Sequence, residues 1–160
     1  GYPFSGKTTL AKELEKKLGF IRLNVDEIKQ EFGFGSLTDD KISDEDWKRI
    51  FEEIDKRIYH LLKSGRTILN EYAWVTKEWR DRARKIATNL GIETIIIFVD
   101  TPTEKVTQRW INNKNNHERP DVSEIDFKES LRDFEKPSED ENIIVYRNTD
   151  DTEDWINNNF

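Results

Sequence analysis

The sequence predicts a three-layer α/β fold, a parallel sheet of about five strands with helices on both faces. Three observations carry that expectation. A glycine-bounded turn at residues 1–9 runs directly into a stretch with helical apolar spacing. Short apolar runs at 20–26, 66–71, 92–100 and 142–147 then alternate with amphipathic stretches. No internal repeat, low-complexity tract or linker interrupts the 160 residues, so 1–160 reads as a single domain.

The opening turn reads GYPFSGKTT, which is G-x-x-x-x-G-K-T, the phosphate-binding P-loop. Gly1 and Gly6 allow backbone angles and close approaches that a Cβ would block. The N–H groups around Ser5, Gly6 and Thr9, with the N-terminus of the following helix, make a concave anion site. Lys7 is placed for the β- and γ-phosphates of a nucleoside triphosphate, and the Thr8 hydroxyl for Mg²⁺. Leu10, Leu14 and Leu18 line one face of the helix, and Gly19 stops it. Such a loop normally follows a buried strand. The sequence starts on the motif's first glycine and contains no Met, so a hydrophobic strand, the first of the sheet, is expected ahead of Gly1.

Composition narrows the function. Charged residues make up 37% of the chain, the net charge is −7 and the mean hydropathy is −0.87. No apolar run reaches the ~20 residues of a membrane span, and no stretch reads as a signal peptide. A soluble, cytoplasmic protein without a membrane partner is the expectation. The absence of Cys rules out disulfides, thiolate catalysis and Cys-based zinc sites. The acidic balance disfavours a nucleic-acid partner, although a local basic groove can override it.

The elements follow in order. Residues 20–26 alternate as a strand, with Ile21, Leu23 and Val25 on one face. Asp26 at its carboxyl end is a candidate general base, because open parallel sheets bind ligands there. The same position also reads as an N-cap for the helix at 27–32. Residues 33–42 form a polar connection. Ser43 opens a helix through a capping box with Asp46, and its Trp47, Ile50, Phe51, Ile54, Ile58, Leu61 and Leu62 form a core stripe ended by Gly65. The strand at 66–71 delivers Glu71 to the same rim as Asp26, where a carboxylate can hold the Mg²⁺ water shell. Thr76 caps a helix with Trp79, Ala83, Ile86, Ala87 and Leu90 inward, and with Arg80, Arg82 and Arg84 directed elsewhere. Residues 92–100 are the clearest central strand. Thr101 and Glu104 read as a capping box with Pro102 at the first helical position. The helix carries Val106, Arg109 and Trp110 before a polar excursion at 112–120 that suits a lid closing on phosphates. Ser123 opens a helix with Ile125, Phe127, Leu131 and Phe134, and Pro137 ends it. Residues 142–147 form the last strand, and a short helix within 151–160 turns Trp155 and Ile156 inward.

These features together resemble the small P-loop kinases of the AAA-type group, whose relatives include polynucleotide kinases, chloramphenicol phosphotransferase and zeta-toxin-like kinases. The resemblance runs over nearly the whole chain. It rests on residues 1–9, on Asn24, Asp26 and Ile28 after the second strand, and on 65–71 ending in Glu71. Val99, Asp100, Pro102 and Arg109 resemble the strand–Pro–lid-arginine pattern. Residues 119–122 and 134–137 resemble the lid exit.

The resemblance implies a P-loop NTPase fold and a kinase that transfers the γ-phosphate of ATP to a hydroxyl-bearing acceptor, a small molecule or a nucleic-acid 5′ end. It implies that Lys7 and Thr8 bind phosphates and Mg²⁺, that Asp26 activates the acceptor hydroxyl, and that Arg109 and Arg119, in a lid around 109–122, stabilise the transferring group. Arg80 matches a substrate-side arginine. Two departures stand out. Glu71 replaces the usual Asp, followed by Trp74 where a polar residue is common, and Asn113 or Lys114 replaces a second lid arginine. The alternative is a nucleotide-binding regulatory NTPase with no acceptor, which has no need of a base at Asp26.

Overall fold

The computed structural model describes residues 1–35, 37–119 and 121–160. Ser36 in the 33–42 connection and Pro120 in the lid-exit stretch lie outside the described residues. The chain runs α1 (Lys7–Leu18), β1 (Ile21–Asn24), α2 (Val25–Glu31), α3 (Asp44–Lys63), β2 (Ile68–Glu71), α4 (Lys77–Asn89) and β3 (Ile96–Asp100). It continues through α5 (Thr103–Asn116), α6 (Glu124–Arg132), β4 (Ile143–Arg147) and α7 (Thr152–Asn159), with 3₁₀ turns at Asp39–Lys41 and Glu139–Glu141.

Local chemistry sets most of the boundaries. Ser43, Thr76, Ser123 and Asp151 each accept a backbone N–H from the first turn of the helix they open, which satisfies donors that have no partner within the helix. Gly19 ends α1 in a left-handed conformation at φ 68°, its N–H donating to Glu15 O at 2.9 Å.

All the strand pairs are parallel. β1 pairs with β2 in the register Ile21↔Ile68 to Asn24↔Glu71, and β3 with β4 in the register Ile96↔Ile143 to Asp100↔Arg147. Helices cover both faces. Ile68 packs with the α3 stripe of Ile50, Ile54 and Ile58, whereas its neighbour Leu69 packs with Leu10, Leu14, Trp155 and Ile156 of α1 and α7. Successive strand residues point to opposite faces, so this split follows from the pleat. A third cluster, Phe4, Val106, Trp110 and Phe127, joins the P-loop to α5 and α6.

Among the described residues β2 and β3 share no ladder. A cavity of about 400 Å³ lies between them, lined by Leu69, Ile97, Leu14, Phe20 and Phe134.

Several sequence expectations are corrected. The strands start later than the apolar runs, and β1 also stops at Asn24, because Asn24 caps α2 and draws Val25 and Asp26 into its first turn. Trp79 is 44% exposed rather than inward, because the inward position beside it is taken by Arg80, 100° around the helix. It lies instead against Tyr72, with ring centroids 6.5 Å apart and planes at 11°. Ile125 is exposed, since it sits two residues and so about 200° from the buried Phe127. α5 does not give way at Asn112. It continues to Asn116, with Asn113 buried on the Trp110 face and His117 closing it at φ 48°. Thr101 does not cap α5, whose N-cap position is held by Pro102 without a side-chain hydrogen bond.

Candidate active site

The P-loop wraps the N-terminus of α1. Gly6 holds φ 107° at the N-cap, a conformation that disfavours any Cβ. At Gly1 a Cβ would stand 2.5 Å from the Val99 carbonyl oxygen, so only glycine lets the loop pass this close to β3. Phe4 is left-handed at φ 62° without being glycine. Its ring is held in the cluster with Trp110 and Phe127, and its carbonyl accepts from Arg109 Nη1 at 2.9 Å. Ser5 is buried, and its carbonyl accepts from Thr101 Oγ1 at 2.8 Å. The Ser5 hydroxyl has no partner among the described residues, a buried polar atom left over inside an anion-binding loop. Thr9 is exposed and lines the adjoining pocket.

Lys7 folds back across this loop, its Nζ donating to Tyr2 O at 2.7 Å and Gly1 O at 3.2 Å. Burial lowers its ammonium pKa to about 8, against the opposing pull of Glu71 and Asp26 and with a further lowering from Arg119.

The β1–β2 register places Asn24 opposite Glu71 at the carboxyl edge of the sheet. Thr8 Oγ1 donates to Glu71 Oε1, joining the P-loop to the end of β2. The other Glu71 oxygen accepts from Arg22 Nη1 at 2.9 Å. Asn24, not Asp26, is the N-cap of α2, its Oδ1 accepting from Glu27 N at 3.1 Å. The capping reading of Asp26 is thus replaced, because the helix starts earlier than its apolar pattern suggests. Asp26 sits in the first turn with its side chain open to solvent. Partial desolvation, then the charge of Asp39, raises its carboxyl pKa against the pull of Lys29 and Lys7. Asp39 accepts from Lys29 Nζ at 2.8 Å and from the Tyr72 hydroxyl at 3.2 Å. Burial first, and then the charges of Asp39 and Asp26, push the Tyr72 phenol well above its ordinary value.

On the other side of the loop, Arg109, Asn113 and Arg119 bound a polar pocket of about 410 Å³ that reaches Tyr146 of β4 and Asn148 just after it. Asn113, where a second lid arginine was expected, clamps the backbone of Arg119. Its Oδ1 accepts from Arg119 N at 3.0 Å and its Nδ2 donates to Arg119 O at 3.2 Å.

Arg80 does not join this group. It is 5% exposed and bound to Glu141 through Nε at 2.7 Å and Nη2 at 2.9 Å. Its Nη1 donates to Glu135 O at 2.8 Å and Trp74 O at 3.2 Å. The expected substrate-side arginine is here a staple between α4 and the segment ahead of β4. Its sequence partner, Glu141, lies too far along the chain for spacing to reveal the pair.

Thr8 and Glu71 are both hard oxygen donors in mutual contact, which fits Mg²⁺. Among the described residues no cluster of three or more His, Cys, Asp or Glu side chains forms a cage. Magnesium bound alongside phosphates needs none, since one or two protein oxygens and waters complete its shell. No helix among the described residues is long and apolar enough to cross a membrane.

A comparison with curated proteins finds no match. Solved structures share the fold at low identity. The APS kinase CysC of Mycobacterium tuberculosis, in complex with AMPPNP and APS, is 19% identical with a TM-score of 0.70, covering 99% of this chain and 90% of that one. A sugar kinase from Janibacter sp. is 18% identical with a TM-score of 0.71, covering 99% and 87%. Kti12 of Chaetomium thermophilum, in complex with ADP-AlF3, is 16% identical with a TM-score of 0.68, covering 99% and 93%. The fold is that of the P-loop kinases. Residues 1–137 match the family described as AAA domain, and the chain belongs to that family.

Proposed function

We propose that the protein is an ATP-dependent phosphotransferase acting on a hydroxyl-bearing small molecule. The observation that carries this reading is the Thr8–Glu71 contact, which seats the P-loop on the carboxyl edge of the β1–β2 pair, where Asp26 follows Asn24 in the first turn of α2. A nucleotide switch needs that contact but has no use for a second carboxylate, Asp26, at the same edge.

The loop N–H groups and Lys7 hold the β- and γ-phosphates, and the 410 Å³ pocket beside Arg109 takes the rest of the nucleotide. Thr8 and Glu71 would hold Mg²⁺, which would supply charge neutralisation at the phosphates. Asp26 accepts the proton of the acceptor hydroxyl as its oxygen bonds to the γ-phosphorus and the bond to the β–γ bridging oxygen breaks. ADP leaves with that bridging oxygen. Arg109 and Arg119 stabilise charge on the transferring group, on a lid at 109–122 whose Asn113 clamp holds Arg119 in place. Asp39 is tied to α2 through Lys29 at 2.8 Å, and Asp126 accepts from Asp40 N at 3.4 Å, which adds carboxylates on the Asp26 side of the site. The nearby Lys29 is committed to Asp39. This local charge favours a neutral or cationic acceptor over a nucleic-acid end.

The test is ADP release from ATP–Mg²⁺ across a panel of 5′-hydroxyl oligonucleotide, nucleosides, aminoglycosides and nucleotide sugars. Release that depends on one acceptor class supports the kinase. Slow release indifferent to every acceptor overturns it in favour of a regulatory NTPase.

A further inference from the structure

We propose that Arg22 is the positioning residue for Glu71, fixing the carboxylate plane so that Oε1 faces the Thr8 side of the site. This inference rests on the kinase reading of Thr8 and Glu71. Its basis is a relay of contacts from the strand to the loop. Arg22 Nη1 donates to Glu71 Oε2 at 2.9 Å, and Glu71 Oε1 accepts from Thr8 Oγ1. Each carboxylate oxygen thus has a separate partner, one on β1 and one on the P-loop.

Arg22 is itself fixed from several directions. Nη2 donates to Glu27 in the first turn of α2, and Nε faces Glu15 Oε2 of α1 at 3.6 Å without forming a hydrogen bond. Its side chain is 9% exposed. A guanidinium gripped by carboxylates from α1, α2 and β2 has little freedom to rotate. A planar donor fork held in this way passes its orientation to the carboxylate it binds.

The arrangement accounts for a departure in the sequence. Glu71 stands where the resemblance leads one to expect Asp. The extra methylene adds a rotatable bond between backbone and carboxylate, so a glutamate there needs a second anchor to present one oxygen reproducibly. Arg22 supplies that anchor from the neighbouring strand, opposite Leu69 in the β1–β2 register. Outer contacts of this kind orient metal-side carboxylates, and their loss typically weakens metal binding.

The alternative is that Arg22 only neutralises a buried carboxylate, and the two roles separate by experiment. Calorimetry of a non-hydrolysable ATP analogue is carried out with EDTA and with Mg²⁺, on the parent, Arg22→Gln, Arg22→Lys, Glu71→Gln and the Arg22→Gln/Glu71→Gln double variant. Positioning predicts that Arg22→Gln reduces the Mg²⁺-dependent gain in affinity by about tenfold, with affinity in EDTA within about twofold of the parent. Arg22→Lys keeps the charge but loses the fork, so it loses most of the gain as well. In the Glu71→Gln background, Arg22→Gln has no further effect. An unchanged gain in Arg22→Gln, full retention in Arg22→Lys, or additive losses in the double variant would each overturn the proposal. Should Arg22→Gln fail to fold, Arg22→Lys decides on the same criterion. A parent that binds no nucleotide defeats the kinase reading itself, whereas a parent with a Mg²⁺ gain that the variants retain defeats only the role of Arg22.

Discussion

Replacing Glu141 by Gln removes the charge that balances Arg80 in the interior. Arg80 is 5% exposed and Glu141 fully buried, and the pair is bidentate at 2.7 and 2.9 Å. The Glu141 carboxylate also accepts from Ser138 N at 3.0 Å. Breaking a buried pair from one side leaves an uncompensated charge and costs about 3–5 kcal/mol. The amide keeps one acceptor oxygen, so the lower end, about 3 kcal/mol, is expected. Titration leads to a similar figure. The Arg80 hydrogen bond, outweighing burial, holds the Glu141 pKa at about 2, below its ordinary 4.5. At about 1.4 kcal/mol per pH unit this depression is worth roughly 3 kcal/mol. The folded pKa is the lower one, so the stabilisation is fully present above about pH 4.5 and is lost as pH falls toward about 2. Urea unfolding measures it directly. Glu141→Gln should be about 3 kcal/mol less stable than the parent at pH 7, with the gap narrowing steadily below about pH 4.5. A gap that stays constant to low pH, or no gap at pH 7, would refute the reasoning.

Other outcomes follow from the same geometry. Asp26→Asn should fold and bind ATP–Mg²⁺ like the parent, because Asn24 is the cap, while acceptor phosphorylation falls by roughly 10²-fold or more. Full transfer activity would move the base elsewhere, with Glu71 next in line. Phe4→Gly relieves a left-handed backbone worth about 1 kcal/mol but loses a buried ring worth about 3–5, so chemical denaturation should show a net loss of about 2 kcal/mol or more. A stabilised variant would mean the ring anchors nothing.

How far the sequence reveals the molecule depends on the range of each interaction. The P-loop, the parallel α/β alternation and the helix starts at Ser43, Thr76 and Ser123 are local patterns, and the structure agrees with each. Glu71 and Asp26 were legible as rim residues because strand ends in a parallel sheet share an edge. The start of α2 was not, since Asn24 and Asp26 are equally good caps and only the backbone chooses between them. Arg80 was misread because its partner Glu141 is supplied by the far end of the chain. Thr101 looked like a helix cap, yet its hydroxyl reaches across to the P-loop at Ser5, a contact that no local spacing encodes. One signal for Arg22 was available. It is a lone cation on a short strand whose other face carries Ile21 and Leu23, and a strand covered by helices on both sides must pair such a charge.

Nucleotide binding at the P-loop underlies every role assigned to the site, and calorimetry of a non-hydrolysable ATP–Mg²⁺ analogue on the parent and Lys7→Ala tests it most directly. The Lys7 ammonium, now shared between the Gly1 and Tyr2 carbonyls, is expected to turn onto the phosphates. Its removal should cost about 2–3 kcal/mol, a loss of roughly 30- to 150-fold in affinity. Equal affinity in the parent and Lys7→Ala, or no binding by the parent, would contradict the P-loop reading.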